Sequence, residues 1–140
     1  MPSKATDDLA SAGRCLAFGL FTAAGFHICR AVEAVLEMYY HHFTGKAGML
    51  RSWHDYLNAL DKAIAAGRKP AAEKQTLAYL NQLRDSSRNP IMHPRVVLEE
   101  ADAFIIFDLG CGVISRMIQE LQAATKPTRQ RKPRMKAAAT

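Results

Sequence analysis

Arg88, Asn89 and His93 stand together in the stretch Arg88-Asn89-Pro90-Ile91-Met92-His93-Pro94, and no other set in the chain joins a permanent cation to a titratable imidazole in this way. A guanidinium stays charged and presents a planar fork of N–H donors to phosphate oxygens. An imidazole, with a reference pKa near 6.5, gives or takes a proton at neutral pH. The pair therefore suits proton transfer at a phosphate, with Asn89 orienting the anion or a neighbouring side chain through hydrogen bonds. In an extended chain the two side chains would lie about 17 Å apart at roughly 3.3 Å per residue, too far for a joint task. Pro90 is expected to push Asn89 out of the α region, end the helix that carries Arg88 and fold the chain back so that Arg88 and His93 converge.

The elements that must position this turn read as helices throughout. Leu9, Leu16, Phe18 and Leu20 recur at helical spacing behind an acidic first turn and predict a helix over residues 6–20, with a break at Gly19 and Thr22. A stronger helix is expected from Ala23 to Phe43, with Gly25, Cys29, Val32, Leu36, Tyr39 and Phe43 on one stripe and Gly45 as its stop. Lys46 to Leu50 reads as a loop. Ser52 is placed to cap a third helix over Trp53 to Ala65, closed by Gly67. Pro70 fits the start of a fourth, whose Leu77, Leu80 and Leu83 face inward before the Arg88 turn. A fifth runs from about Leu98 to Ala124, with Glu99, Glu100 and Asp102 at the positive end of its dipole. Gly110 and Gly112 within it suit a close helix crossing better than a break. No segment alternates as a strand does, so the expected fold is an all-α, antiparallel helical bundle of four to five helices in one domain, residues 1–124, followed by a disordered basic tail, residues 125–140.

Charge is divided between those two parts. The 19 Lys and Arg exceed the 13 Asp and Glu by six, and six basic residues of the tail, Lys126, Arg129, Arg131, Lys132, Arg134 and Lys136, account for the whole excess. A disordered arm of this kind would bind RNA electrostatically in a salt-dependent way; as a merely solvated end it would do nothing. Cys15, Cys29 and Cys111 form no CxxC pair and read as core residues in a reducing compartment. His41, His42 and His54 suggest a metal at first sight, yet adjacent helical residues point about 100° apart and no i+4 pair completes a site, so neither metal nor cofactor is expected. With no signal-like N-terminus and no apolar run of about 20 residues, the chain reads as soluble and cytoplasmic.

The Arg88-Asn89-x-x-x-His93 stretch, set between the last two long helices of an all-α chain, resembles the Arg-x(4-6)-His motif of HEPN-domain ribonucleases. The segment Gly25-Phe26-His27-x-x-Arg30-x-x-Glu33 also resembles the second helix of bacterial members, and the likeness spans roughly residues 8–122. The resemblance implies a homodimer that cuts RNA at a composite active site, an antitoxin or nucleotidyltransferase as regulatory partner, and a stress, toxin-antitoxin or phage-defence setting. Members whose tyrosine is modified by a nucleotidyltransferase carry it two residues after the histidine, where this chain has Arg95. That argues against the nucleotidyltransferase arm.

A homodimer also has a chemical rationale. In-line displacement at phosphorus places base and acid on opposite sides, and two Arg88/His93 pairs in one groove would supply both. Glu33 and Arg30 then either pair with one another on the second helix or reach across to orient the Arg88 turn. Three classes of function remain open on these residues: a metal-independent endoribonuclease, a non-catalytic RNA- or nucleotide-binding helical module, and a dimeric protein adaptor.

Overall fold

In the computed structural model, which describes residues 1–125, every regular element is helical. The elements are α1 (Ser3–Ala17), α2 (Phe21–Thr44), α3 (Trp53–Ala65), α4 (Lys74–Leu83), a π turn (Arg84–Arg88), the short α5 (Asn89–Ile91) and α6 (Glu100–Thr125). The expected basic tail lies outside the described residues. None of the helices is long and apolar enough to cross a membrane.

Helix α2 is the centre of the bundle. Its predicted stripe is buried from Gly25 to Phe43, and Gly45 ends it in the left-handed region at φ 68°, its N–H bonded to the His41 carbonyl. Helix α1 packs antiparallel on one flank, since Asp8 meets His27 and Arg30. On another flank α6 runs parallel to α2: Leu98 bonds Thr22, Gly110 lies on Ile28 and Val32, and Glu120 meets Tyr39. Helix α4 lies antiparallel to α6, with Thr76 bonded to Glu120 at one end and Leu83 near Leu109 and Val113 at the other. The crossing of α2 and α6 depends on Gly110, where a Cβ would collide with the Ile28 side chain. Gly112 has open space around it and belongs to the outer face. Of the two glycines, one serves the crossing.

Helix α2 starts at Phe21, so Thr22 lies within it and not in the expected break, and three further features depart from the sequence reading. Helix α1 starts at Ser3, because Pro2 at φ -60° and ψ 140° is preset for an N-terminus and its carbonyl receives the N–H groups of Ala5 and Thr6. It stops at Ala17, which leaves Phe18 and Leu20 exposed on the way out. Asp8 consequently falls beyond the first turn and serves a tertiary contact instead of the helix dipole. Helix α4 begins at Lys74 rather than at Pro70, which follows a cis peptide bond. Its start is set across the bundle: the Glu120 carboxylate accepts the Glu73 N–H at 3.0 Å, and Arg116 holds the Glu73 carboxylate at 2.7 Å.

The third departure concerns Pro90, which does not break the helix. Arg88 (φ -62°, ψ -49°) and Asn89 (φ -64°, ψ -46°) both remain α-helical. The helix widens by one residue just before the proline, so that Asn89 N–H bonds back to the Arg84 carbonyl. Leu83, Ser87 and Ile91, at steps of four, are all buried. An α-helix drifts by about 40° at each such step, and the wider turn absorbs much of that drift, keeping the three on one line toward the core.

Candidate active site

The π turn decides where the predicted residues point. Arg84 and Arg88, four apart within it, both face the start of α3. There Ser52, Trp53, His54, Arg84, Arg88 and Asn89 line a surface cleft of about 300 Å³. Trp53, the sole tryptophan, is buried in its wall, and its indole N–H finds no acceptor among the described residues. Ser52 is the cap of α3, as expected: its Oγ accepts the Asp55 N–H at 3.2 Å and donates to the Asp55 carboxylate at 2.9 Å.

Arg88 is half-buried, and the one hydrogen bond of its side chain among the described residues is a long donation of 3.4 Å to the Asn89 side-chain oxygen. Its charge is felt on α2. Burial pushes the Cys29 thiol up to about 12, with Arg88 opposing that rise and Glu33 adding to it. Glu33 is therefore an electrostatic neighbour of the same region, although no ion pair joins it to Arg88. Arg30 is not brought to the Arg88 turn. Its Nε donates to the buried carboxylate of Asp8 at 3.3 Å, and His27 Nδ1 lies 2.8 Å from the same carboxylate. A buried carboxylate needs such partners, and on α2 the Arg30 side chain faces α1. The expected Arg30–Glu33 pair is replaced by Asp8, His27 and Arg30.

His93 is exposed beyond the end of α5, with its backbone N–H on the Pro90 carbonyl. Because the chain stays helical from Arg88 to Ile91, it advances only about 1.5 Å per residue there and brings His93 well inside the extended span from Arg88. The two are brought near by winding, not by a fold-back. They do not share the cleft: Arg88 faces α3, and His93 faces solvent.

The imidazole beside the guanidinia is His54. Arg84 Nη1 lies 3.2 Å from His54 Nδ1, and the Asn58 amide lies 2.8 Å from Nε2. An arginine can only donate, so Nδ1 accepts from Arg84; with the ring proton on Nε2, Asn58 pairs with it only when its side-chain amide is turned to present Oδ1 in place of the Nδ2 that stands there. Arg84 is largely buried and also donates from Nε to Asp85 at 2.8 Å, which holds the Asp85 carboxyl below its ordinary range. The Arg84-x-x-x-Arg88 spacing was visible in the sequence as two cations on one helical face. His54, thirty residues earlier, carried no such signal.

The other two histidines of the sequence trio lie elsewhere. His41 contacts the Gly48 carbonyl at 3.0 Å, and His42 Nε2 is buried without a partner. No family model matches this chain, and no curated protein or solved structure matches it either.

Proposed function

We propose that the protein is a metal-independent endoribonuclease of HEPN type acting as a homodimer. The observation that carries this reading is Arg88, held in a π turn at a surface cleft with most of its donors unpaired among the described residues, and followed five residues later by an exposed imidazole. Functional residues often sit at such widened turns.

The chemistry follows from the two side chains. His93 takes the proton of a ribose 2′-hydroxyl, the 2′-oxygen forms a bond to phosphorus, and Arg88 stabilises the charge that gathers on the non-bridging oxygens. The bond to the 5′-oxygen breaks as an imidazolium protonates it, leaving a 2′,3′-cyclic phosphate and a 5′-hydroxyl. A second copy of the chain supplies the second imidazole on the far side of the phosphorus.

The outer face of α6 supports a partner copy. Phe104, Ile105 and Leu109 are exposed there at helical spacing, beside an apolar groove of about 380 Å³ between α4 and α6 that includes Tyr79, Leu83 and Gly112. Leu83 directly precedes the π turn, so pairing through this face keeps both Arg88 turns near the seam.

The test is cleavage of an end-labelled single-stranded RNA with EDTA present, comparing wild type with Arg88→Ala and His93→Ala. The reading expects cyclic-phosphate products from wild type and none from either variant. Intact RNA with salt-sensitive binding retained would replace it with a binding module.

A further inference from the structure

We propose that the cleft between the π turn and the start of α3 is a phosphate seat in which Arg84 is a second anion-binding guanidinium and His54 its positioning residue. This rests on the reading of Arg88 as a phosphate ligand but assigns residues that neither the motif nor the resemblance contains.

Three independent features converge on one 300 Å³ cleft. The first is a pair of guanidinia four residues apart. Like charges at that spacing repel, and the arrangement is relieved when an anion bridges them. Asp85 neutralises part of Arg84 through Nε, yet no carboxylate pairs with Arg88 among the described residues. Asp55, the other acid at this edge, is turned toward Ser52.

The second feature is the N-terminus of the 13-residue α3, capped at Ser52 and open to the same cleft. The Ser52 hydroxyl satisfies the Asp55 N–H, which leaves the N–H groups of Trp53 and His54 without intrahelical acceptors and lends the cleft the positive end of a helix dipole. The third is the hydrogen-bond chain Asn58–His54–Arg84. Because Nδ1 of His54 can only accept from Arg84, it fixes the guanidinium plane without cancelling its charge. Two arginines, a helix N-terminus and the Asn89 amide make the cleft rich in donors. The ligand class this favours is a phosphate group, with a backbone phosphate of the bound RNA as the species seated.

Inorganic phosphate titrated against chloride at constant ionic strength tests the seat, read by NMR of the Arg Nε–H signals and of the single indole N–H of Trp53. A 2′-O-methyl oligoribonucleotide, which cannot be cut by 2′-hydroxyl attack, serves as the second probe. Saturable shifts of Trp53, Arg84 and Arg88 are expected. Arg84→Gln and Arg88→Gln should each weaken binding of both probes about tenfold or more, as loss of a charge-assisted bidentate contact does. His54→Phe should weaken it by about three- to tenfold, through the lost anchor of Arg84. Arg14→Gln, on α1, should bind as wild type does. Phosphate that moves none of these signals, or binds the Arg84 and Arg88 variants as it binds wild type, overturns the seat. Cleavage that depends on Arg88 and His93 but survives Arg84→Gln intact would overturn it while leaving the ribonuclease standing. Arginine-dependent binding without any cleavage would keep the seat and remove the ribonuclease.

Discussion

Two polar clusters in this molecule use similar side chains to opposite ends. Around Glu120, at the junction of α2, α4 and α6, both carboxylate oxygens are occupied: one accepts from Tyr39 and the Glu73 amide, the other from Thr76. Arg116 closes the set by donating to Thr76, Gln75 and Glu73. Around Arg84 and Arg88 the donors outnumber the acceptors among the described residues, and the surplus faces a cleft. The first cluster is complete and its free energy goes into stability. The second is incomplete by itself, and a site that must receive an anion has to be.

Substitutions in the two clusters should therefore separate cleanly. The largest effect is expected on activity: Arg88→Ala or His93→Ala should lower RNA cleavage by about 10²- to 10⁴-fold, the range for removing an acid–base group or a charge stabiliser, with little change in melting temperature. Retained cleavage in either variant would erase the contrast. Glu120→Ala should do the reverse, costing about 2–4 kcal/mol in denaturant unfolding because it strands the Tyr39 hydroxyl and the Glu73 amide, while cleavage per folded molecule persists. Gly110→Ala should cost about 1–3 kcal/mol, since its Cβ meets Ile28 at the α2–α6 crossing, and Gly112→Ala, in open space, should be tolerated.

A smaller, pH-dependent effect belongs to Tyr39 of the complete cluster and to Cys29, a buried thiol elsewhere on α2. Burial and the Glu120 carboxylate hold the Tyr39 proton above the ordinary tyrosine range, and burial raises Cys29 to about 12. In both cases the unfolded chain releases its proton first. Stability should be whole below about pH 9 and should fall as pH climbs from there toward 12. Melting curves of Tyr39→Phe and Cys29→Ala should show a shallower alkaline decline than wild type. A decline of equal slope would mean that other groups carry it.

The residues explain which parts of this were legible in the sequence. The α2 stripe, the Ser52 cap and the glycine stops are local patterns, and local physics set them. Glu73 shows the limit: the start of α4 depends on Glu120, forty-seven residues away, and no local rule contains that partner. Asp8 looked like a helix-dipole residue and is instead a buried anchor for His27 and Arg30. Pro90 looked like a breaker because the rule assumes α geometry on its N-terminal side, and a π turn there removes the conflict. The sequence presents His54 only as a possible metal ligand, because its neighbours in the cleft come from a helix thirty residues further on.

That π turn also makes the helix sensitive to length in a way that side-chain substitution does not reproduce. Leu83 and Ile91 are anchored in the core on either side of it, and the five residues Arg84–Arg88 act as a shim that sets the phase of one anchor against the other. Removing Ser86, an exposed residue, would take out no buried side chain. It would nonetheless turn Arg88 by about 100° relative to Leu83 and force the chain to keep either Ile91 in the core or Arg88 at the cleft.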